Sequence, residues 1–303
     1  MNDDIPTGER IDVTAETVAA LVAEQFPQFA HLQVRRVRQS GWDNHTFHLG
    51  DRHKVRLPAS AVYLSQTDKE TVWIPRLAPQ LPCLVPQPVA VGRPGPGYPF
   101  PWSIWEWIDG VPAEHSAISD LGQFAEDLAG FLLALAQGET AGAPLAGPDN
   151  FFRGGDLGVY DQQARQCLRQ LNGIVDTVRL TEVWHAALAS RWHAAPVWVH
   201  GDIAWGNLLV RDGKLHAVID FGSSAVGDPA CDLVINWTLF DAGARSRFRA
   251  AYDIDHQTWQ RARGWCIWKA MLIVADNLHD TAVVERERLV LQQVIDDLDE
   301  SRA

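Results

Sequence analysis

The sequence predicts an α+β chain in which a β-rich N-terminal part precedes a mainly helical C-terminal part, and three observations carry that prediction. Up to about residue 110, short apolar or alternating runs are separated by turns rich in Gly and Pro. From Leu121 onward, long stretches repeat apolar residues at helical spacing. Inside that helical part, Val197 to Gly222 returns to strand-like runs around Asp212-Gly213, the signature of a tight hairpin.

The elements follow in order. Val13, Val18, Leu21 and Val22 lie at near-helical spacing behind Thr14, a good capping residue, so 13–25 reads as an amphipathic packing helix. From Leu32 to Leu57, β-like runs surround SGWDNHTFHLG. In HKVRLP, alternation puts Lys54 and Arg56 on one strand face and Val55 and Leu57 on the other. SQTDKETVWIPRLA is helical and carries Glu70. Pro79 to Pro101 reads as strand, turn, strand, and PWSIWEWIDG as an apolar strand ending at Asp109-Gly110.

Leu121 to Ala136 is a helix with Phe124, Leu128, Phe131, Leu132 and Leu135 on one stripe. The Gly- and Pro-containing stretch from Gly138 to Gly158 is a long loop able to border a cleft, and 160–192 holds two helices with solvated Arg165 and Arg169. Beyond the hairpin, Gly227-Asp228-Pro229 and Asp232 open an apolar helix over Leu233 to Phe240, where acids also complement the helix dipole. Helices over 256–278 and 281–300 complete the chain.

Composition sets the outer bounds. With 303 residues, 47% hydrophobic and 21% charged, the chain is an ordinary globular protein able to bury a sizeable core. A net charge of −12, with no basic stripe, argues against nucleic acid as a partner and is compatible with a cationic one. Cys83, Cys167, Cys231 and Cys266 are widely spaced, which suggests reduced core thiols rather than zinc ligands or a disulfide framework. The start, MNDDIPTGER, is acidic and unlike a signal peptide, and the most apolar helical run is broken by Lys269. The expectation is a cytoplasmic protein with no membrane partner.

The chemistry concentrates in VWVHGDIAWGNLLVRDGKLHAVIDFGSSAVGDPACDL, from Val197 onward. Phosphoryl transfer from a nucleotide needs Mg²⁺ on the phosphates, oxygen ligands for the metal, and an acceptor for the proton of the attacking hydroxyl. Asn207 and Asp220 are the candidate metal ligands, and Asp202 is the candidate catalytic acceptor. The residue types and short spacings match a catalytic loop H-x-D-x-x-x-x-N followed by D-F-G, here His200, Asp202, Asn207 and Asp220-Phe221-Gly222. Upstream, Gly41 with the small polar Asn44 and Thr46 would let a strand-to-strand turn bring backbone N–H groups to phosphates. Either Lys54 or Arg56 could reach the α- and β-phosphates, and Glu70 suits an ion pair with that cation. No G-x-S-x-G hydrolase elbow is visible.

HGDIAWGNLLV, VIDFG and GDPACDL together resemble the aminoglycoside phosphotransferase family of small-molecule kinases, which includes macrolide, choline and related kinases. That resemblance implies a two-lobed, protein-kinase-like fold, with residues 1–109 as the nucleotide-binding lobe and 110–303 as the catalytic and substrate-binding lobe. It implies ATP or GTP with Mg²⁺ as cofactors and a small-molecule hydroxyl acceptor, an aminoglycoside-like or macrolide-like antibiotic or else a metabolite alcohol, with a non-catalytic kinase-like nucleotide-binding module as the alternative class. It makes the Gly41 segment the nucleotide-covering loop, favours Arg56 over Lys54 on the phosphates, and makes Asp228 and Asp232 props for the catalytic loop. His200 orients that loop. Where the family has a His-Pro-like pair, this chain has Ala204-Trp205, a departure that puts Trp205 on the acceptor side. Cleft carboxylates such as Asp241 and Asp276 would suit an aminoglycoside, and an aromatic wall drawn from Trp205, Trp237, Trp265 and Trp268 would suit an apolar alcohol.

Overall fold

The computed structural model describes residues 8, 10–37, 41 and 43–301. Ser40 and Trp42 of the expected turn, and most of MNDDIPTGER, lie outside the described residues.

The chain opens with helix α1 (Ala15–Gln25), two residues later than its apolar pattern starts, because Thr14 is the cap and accepts from the Thr17 amide at 3.3 Å. Five strands follow: β1 (Val34–Arg36), β2 (Asn44–Leu49), β3 (His53–Pro58), β4 (Pro88–Gly92) and β5 (Trp102–Glu106). They form one antiparallel sheet in the order β1-β2-β3-β5-β4. Alternation decides what each face does. Phe47, Leu49, Val55, Leu57 and Ile104 are buried against Val18, Leu21 and Val22 of α1. Asn44, Thr46, Lys54 and Arg56 point the other way, into a cleft. Between β3 and β4, helix α2 (Leu64–Leu77) buries Glu70 and Ile74.

A short strand, β6 (Val111–Pro112), pairs with the hairpin of the second half. Then come α3 (Leu121–Ala136), α4 (Asp161–Gln170) and α5 (Thr177–Ala189). The hairpin region consists of β7 (Val197–Val199), β8 (Leu208–Arg211), β9 (Lys214–Val218) and β10 (Ala225–Gly227), with β7 pairing β10 and β8 pairing β9. Asp212 and Gly213 take φ values of 53° and 75°, the left-handed pair that a two-residue hairpin turn requires.

The chain ends with α6 (Ile235–Thr238), α7 (Ala242–Tyr252), α8 (His256–Asp276) and α9 (Thr281–Glu300). Two readings need correction here. The expected 233–240 helix is shorter: its first two residues end a 3₁₀ turn, Pro229–Val234, and only the next four are α-helical. Helix α7 escaped the periodicity reading because ARSRFR is polar. Its signals are the Asp241 cap and the one-turn spacing of Ala244, Phe248 and Tyr252, of which Ala244 and Phe248 are buried. Among the described residues, no helix is long and apolar enough to cross a membrane.

Buried charge is used structurally in this half. Arg261 donates to both oxygens of Asp228, at 2.6 and 3.2 Å, and also to the hydroxyls of Ser190 and Thr258, so the pair leaves little unsatisfied. Removing one partner leaves the other uncompensated, so Asp228→Asn should cost about 3–5 kcal/mol in denaturant unfolding. An unchanged midpoint would show that the pair contributes nothing to stability.

Candidate active site

β7 delivers the chain into His200-Gly201-Asp202, and the loop is held by groups that cannot be exchanged. Gly201 has φ of 83°, and a Cβ there would run into the carbonyl oxygen of Ser223. Only glycine meets both demands. The fully buried His200 accepts the Asp202 amide on Nδ1 at 3.2 Å, and its Nε2 faces the Ile219 carbonyl at 3.1 Å. Asp232, buried behind the loop, accepts the amides of His200 and Gly201, each at 2.7 Å. Burial pushes the Asp232 carboxyl up, and these hydrogen bonds with the neighbouring His200 only partly offset that.

Asp202 is thereby fixed beside two partners. Asn207 Nδ2 donates to its carbonyl at 2.9 Å and to Oδ2 at 3.1 Å, while Lys269 Nζ meets Oδ1 at 3.1 Å. Burial pushes the Asp202 carboxyl up, but Lys269, Arg153 and His200 outweigh it and leave the group below the usual carboxylate range. Asp220, two residues past β9, takes a left-handed φ of 69° and accepts a hydrogen bond from Arg56 of β3 on Oδ1.

Arg56 crosses that gap. Its Nη1 donates to both oxygens of Glu70 at 2.8 Å, and its Nη2 donates to Asp220 at 3.2 Å. Burial alone would lower the guanidinium, yet Glu70, Asp220 and Asp43 hold it above its ordinary value. Lys54 makes no ion pair among the described residues; burial and the adjacent Arg56 pull its ammonium down to about 8. Glu70 is 3% exposed, so it belongs to the site and not to the solvated helix face.

Two cavities meet at these residues. The larger, about 1010 Å³, is lined by Gly41, Asn44, Thr46, Lys54, Arg56 and Trp107 together with Asn207 and Asp220. The smaller, about 530 Å³, is lined by Asp202, Phe151, Arg153, Tyr160, Trp268 and Lys269. Gly41, Asp43, Asn207 and Asp220 line both. Of the nine candidate catalytic, nucleotide and metal residues, eight line one or both of these cavities, and Glu70 reaches them through Arg56. Among the described residues, no three His, Cys, Asp or Glu side chains cluster as a metal cage. One carboxylate and one amide oxygen, Asp220 and Asn207, nevertheless fit a hard cation that keeps water and takes its other oxygens from phosphates.

Two expectations change. Trp205, 47% exposed, lines the larger cavity and not the smaller, and its carbonyl accepts from the Ala113 amide at 3.0 Å. Asp241 caps α7, accepting the Ala244 amide at 2.8 Å, and Asp276 is exposed on α8; neither lines either cavity.

Three residues escaped the sequence reading: Asp43, Arg153 and Lys269. Burial and the neighbouring Asp220 push Asp43 up to about 6. Its position inside the Gly41 segment was a usable signal. Lys269 offered one too, as a lone cation in an apolar helical run, whereas Arg153 sits in a loop with nothing around it to single it out.

Comparison places this arrangement among known proteins. The model of the phosphotransferase enzyme family matches residues 34–265. No protein of curated function matches the sequence. Among solved structures, the GDP and kanamycin complex of APH(2'')-IIIa is similar with a TM-score of 0.71 and 17% identity, covering 92% of this chain and 98% of that one. The streptomycin and ATP ternary complex of APH(2'')-IIa gives 0.59 and 18%, covering 93% and 97%. A macrolide 2'-phosphotransferase from Brachybacterium faecium, as apoenzyme, gives 0.60 and 19%, covering 91% and 97%. The fold is therefore kinase-like, with a β-rich first lobe and a helical second.

The loop geometry makes Gly201→Ala a strained and clashing replacement, which should abolish phosphate transfer and lower the melting temperature. A variant with full activity would contradict the packing. Trp205→Ala should raise the KM for nucleotide more than the KM for acceptor; the reverse would return Trp205 to the acceptor side.

Proposed function

The chain belongs to the phosphotransferase enzyme family, and from that premise we propose that it is a small-molecule kinase transferring the γ-phosphoryl group of ATP or GTP to an alcohol. The observation that supports this best is the meeting of the two cavities at Asp202, Asn207 and Asp220, with Asp202 facing only the smaller one. The larger cavity takes the nucleotide, whose phosphates meet Arg56 and the backbone around Gly41, Asn44 and Thr46. Lys54 and Asp43 sit beside those phosphates, and Glu70 keeps Arg56 aimed. Asn207 and Asp220 would hold Mg²⁺, which neutralises phosphate charge when bound.

The acceptor enters the smaller cavity. Asp202, kept ionised by Lys269 and Arg153, accepts a hydrogen bond from the acceptor hydroxyl and orients its oxygen toward the γ-phosphorus. The new O–P bond forms as the bond to the β-phosphate oxygen breaks. Nucleoside diphosphate departs with the electron pair, and the hydroxyl proton passes to Asp202 and then to solvent. Positioning and charge carry the reaction, with no covalent enzyme intermediate. Such an enzyme works in the cytoplasm, where nucleoside triphosphates are held.

Aminoglycoside-like and macrolide-like antibiotics are one acceptor class, in keeping with what the similar structures are named for. A second reading, a kinase of a small metabolite alcohol, is favoured by a specific observation: the smaller cavity carries two cations, Arg153 and Lys269, and of its three acids Asp43 and Asp220 lie at the junction with the larger cavity while Asp202 is paired with Lys269.

A thermal shift with Mg²⁺ and ATP or GTP, followed by transfer assays on aminoglycosides, macrolides and metabolite alcohols, tests the class. Stabilisation by nucleotide without turnover of any alcohol would favour a silent binding module. Asp202→Asn should lower kcat by about 10²–10⁴-fold with nucleotide affinity retained, and chelation of Mg²⁺ should abolish transfer. Wild-type kcat in Asp202→Asn would refute its role.

A further inference from the structure

We propose that the acceptor carries an anionic group, a carboxylate or phosphate, which docks on Arg153 while its hydroxyl meets Asp202. This rests on the phosphotransferase reading and adds the charge of the substrate to it.

The loop that presents Arg153 is held in an unusual shape. Phe151 and Phe152 both take left-handed backbone angles, φ of 55° and 53°, a conformation unfavourable for aromatic residues. Asn150 locks the turn, donating through Nδ2 to the carbonyls of Arg153 and Ser223 at 2.8 and 3.0 Å. Tyr160 adds a hydrogen bond from its hydroxyl to the Phe151 carbonyl at 2.7 Å. The Arg153 stem therefore rests beside Gly201 of the catalytic loop.

Its head group is equally fixed. The guanidinium carbon lies 4.9 Å from the ring centre of Trp268 and 5.4 Å from that of Trp265, and Trp268 is stacked on Tyr160 at 4.0 Å. Among the described residues, the Arg153 side chain makes no hydrogen bond and no ion pair. A half-buried guanidinium, immobilised on aromatic rings and lining a cavity with its fork of donors unspent, is preorganised for a planar or tetrahedral oxyanion. Lys269 lines the same wall and spends one hydrogen bond on Asp202.

Three carboxylates line the cavity beside the two cations. Asp43 and Asp220 line the junction with the nucleotide cavity, and Asp202 is paired with Lys269. An acceptor with several ammonium groups would set them against Arg153 and Lys269. A hydroxy acid or a phosphorylated alcohol would place its oxyanion on Arg153, its body against Trp268 and Tyr160, and its hydroxyl at Asp202. A cavity of about 530 Å³ suits a molecule of that size.

The test is calorimetry on the full chain loaded with Mg²⁺ and a non-hydrolysable nucleotide. The probes are 3-phenyllactate, its uncharged amide, phenyl phosphate and kanamycin. At least one anion should bind about tenfold or more tightly than the amide, with kanamycin weakest; which anion gains more separates carboxylate from phosphate recognition. Arg153→Gln should remove that advantage while leaving amide and nucleotide affinities within about twofold, and Arg153→Lys should retain part of it.

Amide binding equal to both anions, kanamycin binding tightest, equal loss of anion and amide binding in Arg153→Gln, or no binding of either anion each overturns the proposal. Absence of nucleotide binding by the wild-type chain sinks the phosphotransferase reading instead. The anion preference is then measured on the nucleotide-free protein.

Discussion

A guanidinium joins the two halves of the molecule, and the site is assembled around it. Arg56 leaves the sheet from β3, meets both oxygens of Glu70 on α2 and reaches Asp220 at the end of β9. Its side chain and that of Glu70 are 9% and 3% exposed, whereas Asp220 is 33% exposed. The Glu70 contact is thus shielded from water and leaves one guanidinium edge directed at the partly open Asp220. Removing Glu70 would strand a buried cation, and removing Arg56 would leave three acids, Asp43, Glu70 and Asp220, without their common counter-charge.

The catalytic loop depends on a second set of constraints from behind. Asp232 holds two of its amides, His200 braces it through both ring nitrogens, and Gly201 allows the close pass beneath Ser223. Asp228, four residues before Asp232, is anchored by Arg261 of α8. The same helix carries Lys269 to Asp202 and Trp268 to Arg153. One helix therefore supports the loop through Arg261 and lines the smaller cavity with Trp268 and Lys269, which couples the stability of the second lobe to the shape of that cavity.

The Arg153–aromatic cluster beside the smaller cavity is assembled by contacts distant in sequence. Arg153 comes from a loop after α3, Tyr160 from just before α4, and Trp265 and Trp268 from α8. Their stacking sets aromatic rings against the Arg153 guanidinium.

By itself the sequence determined whatever depends on short range. Alternation placed Lys54 and Arg56 together, Asp212-Gly213 specified the hairpin, and the intervals between His200, Asp202, Asn207 and Asp220 gathered a recognisable site at one end of it. Tertiary structure alone decided what depends on approach from elsewhere: that Glu70 is buried against Arg56, that Trp205 faces the larger cavity, that Asp241 is a cap, and that Lys269 and Arg153 line the smaller cavity. The physical reason is that backbone periodicity fixes a side chain's direction within its own element, whereas its burial, charge state and partners are set by whichever other elements pack against it.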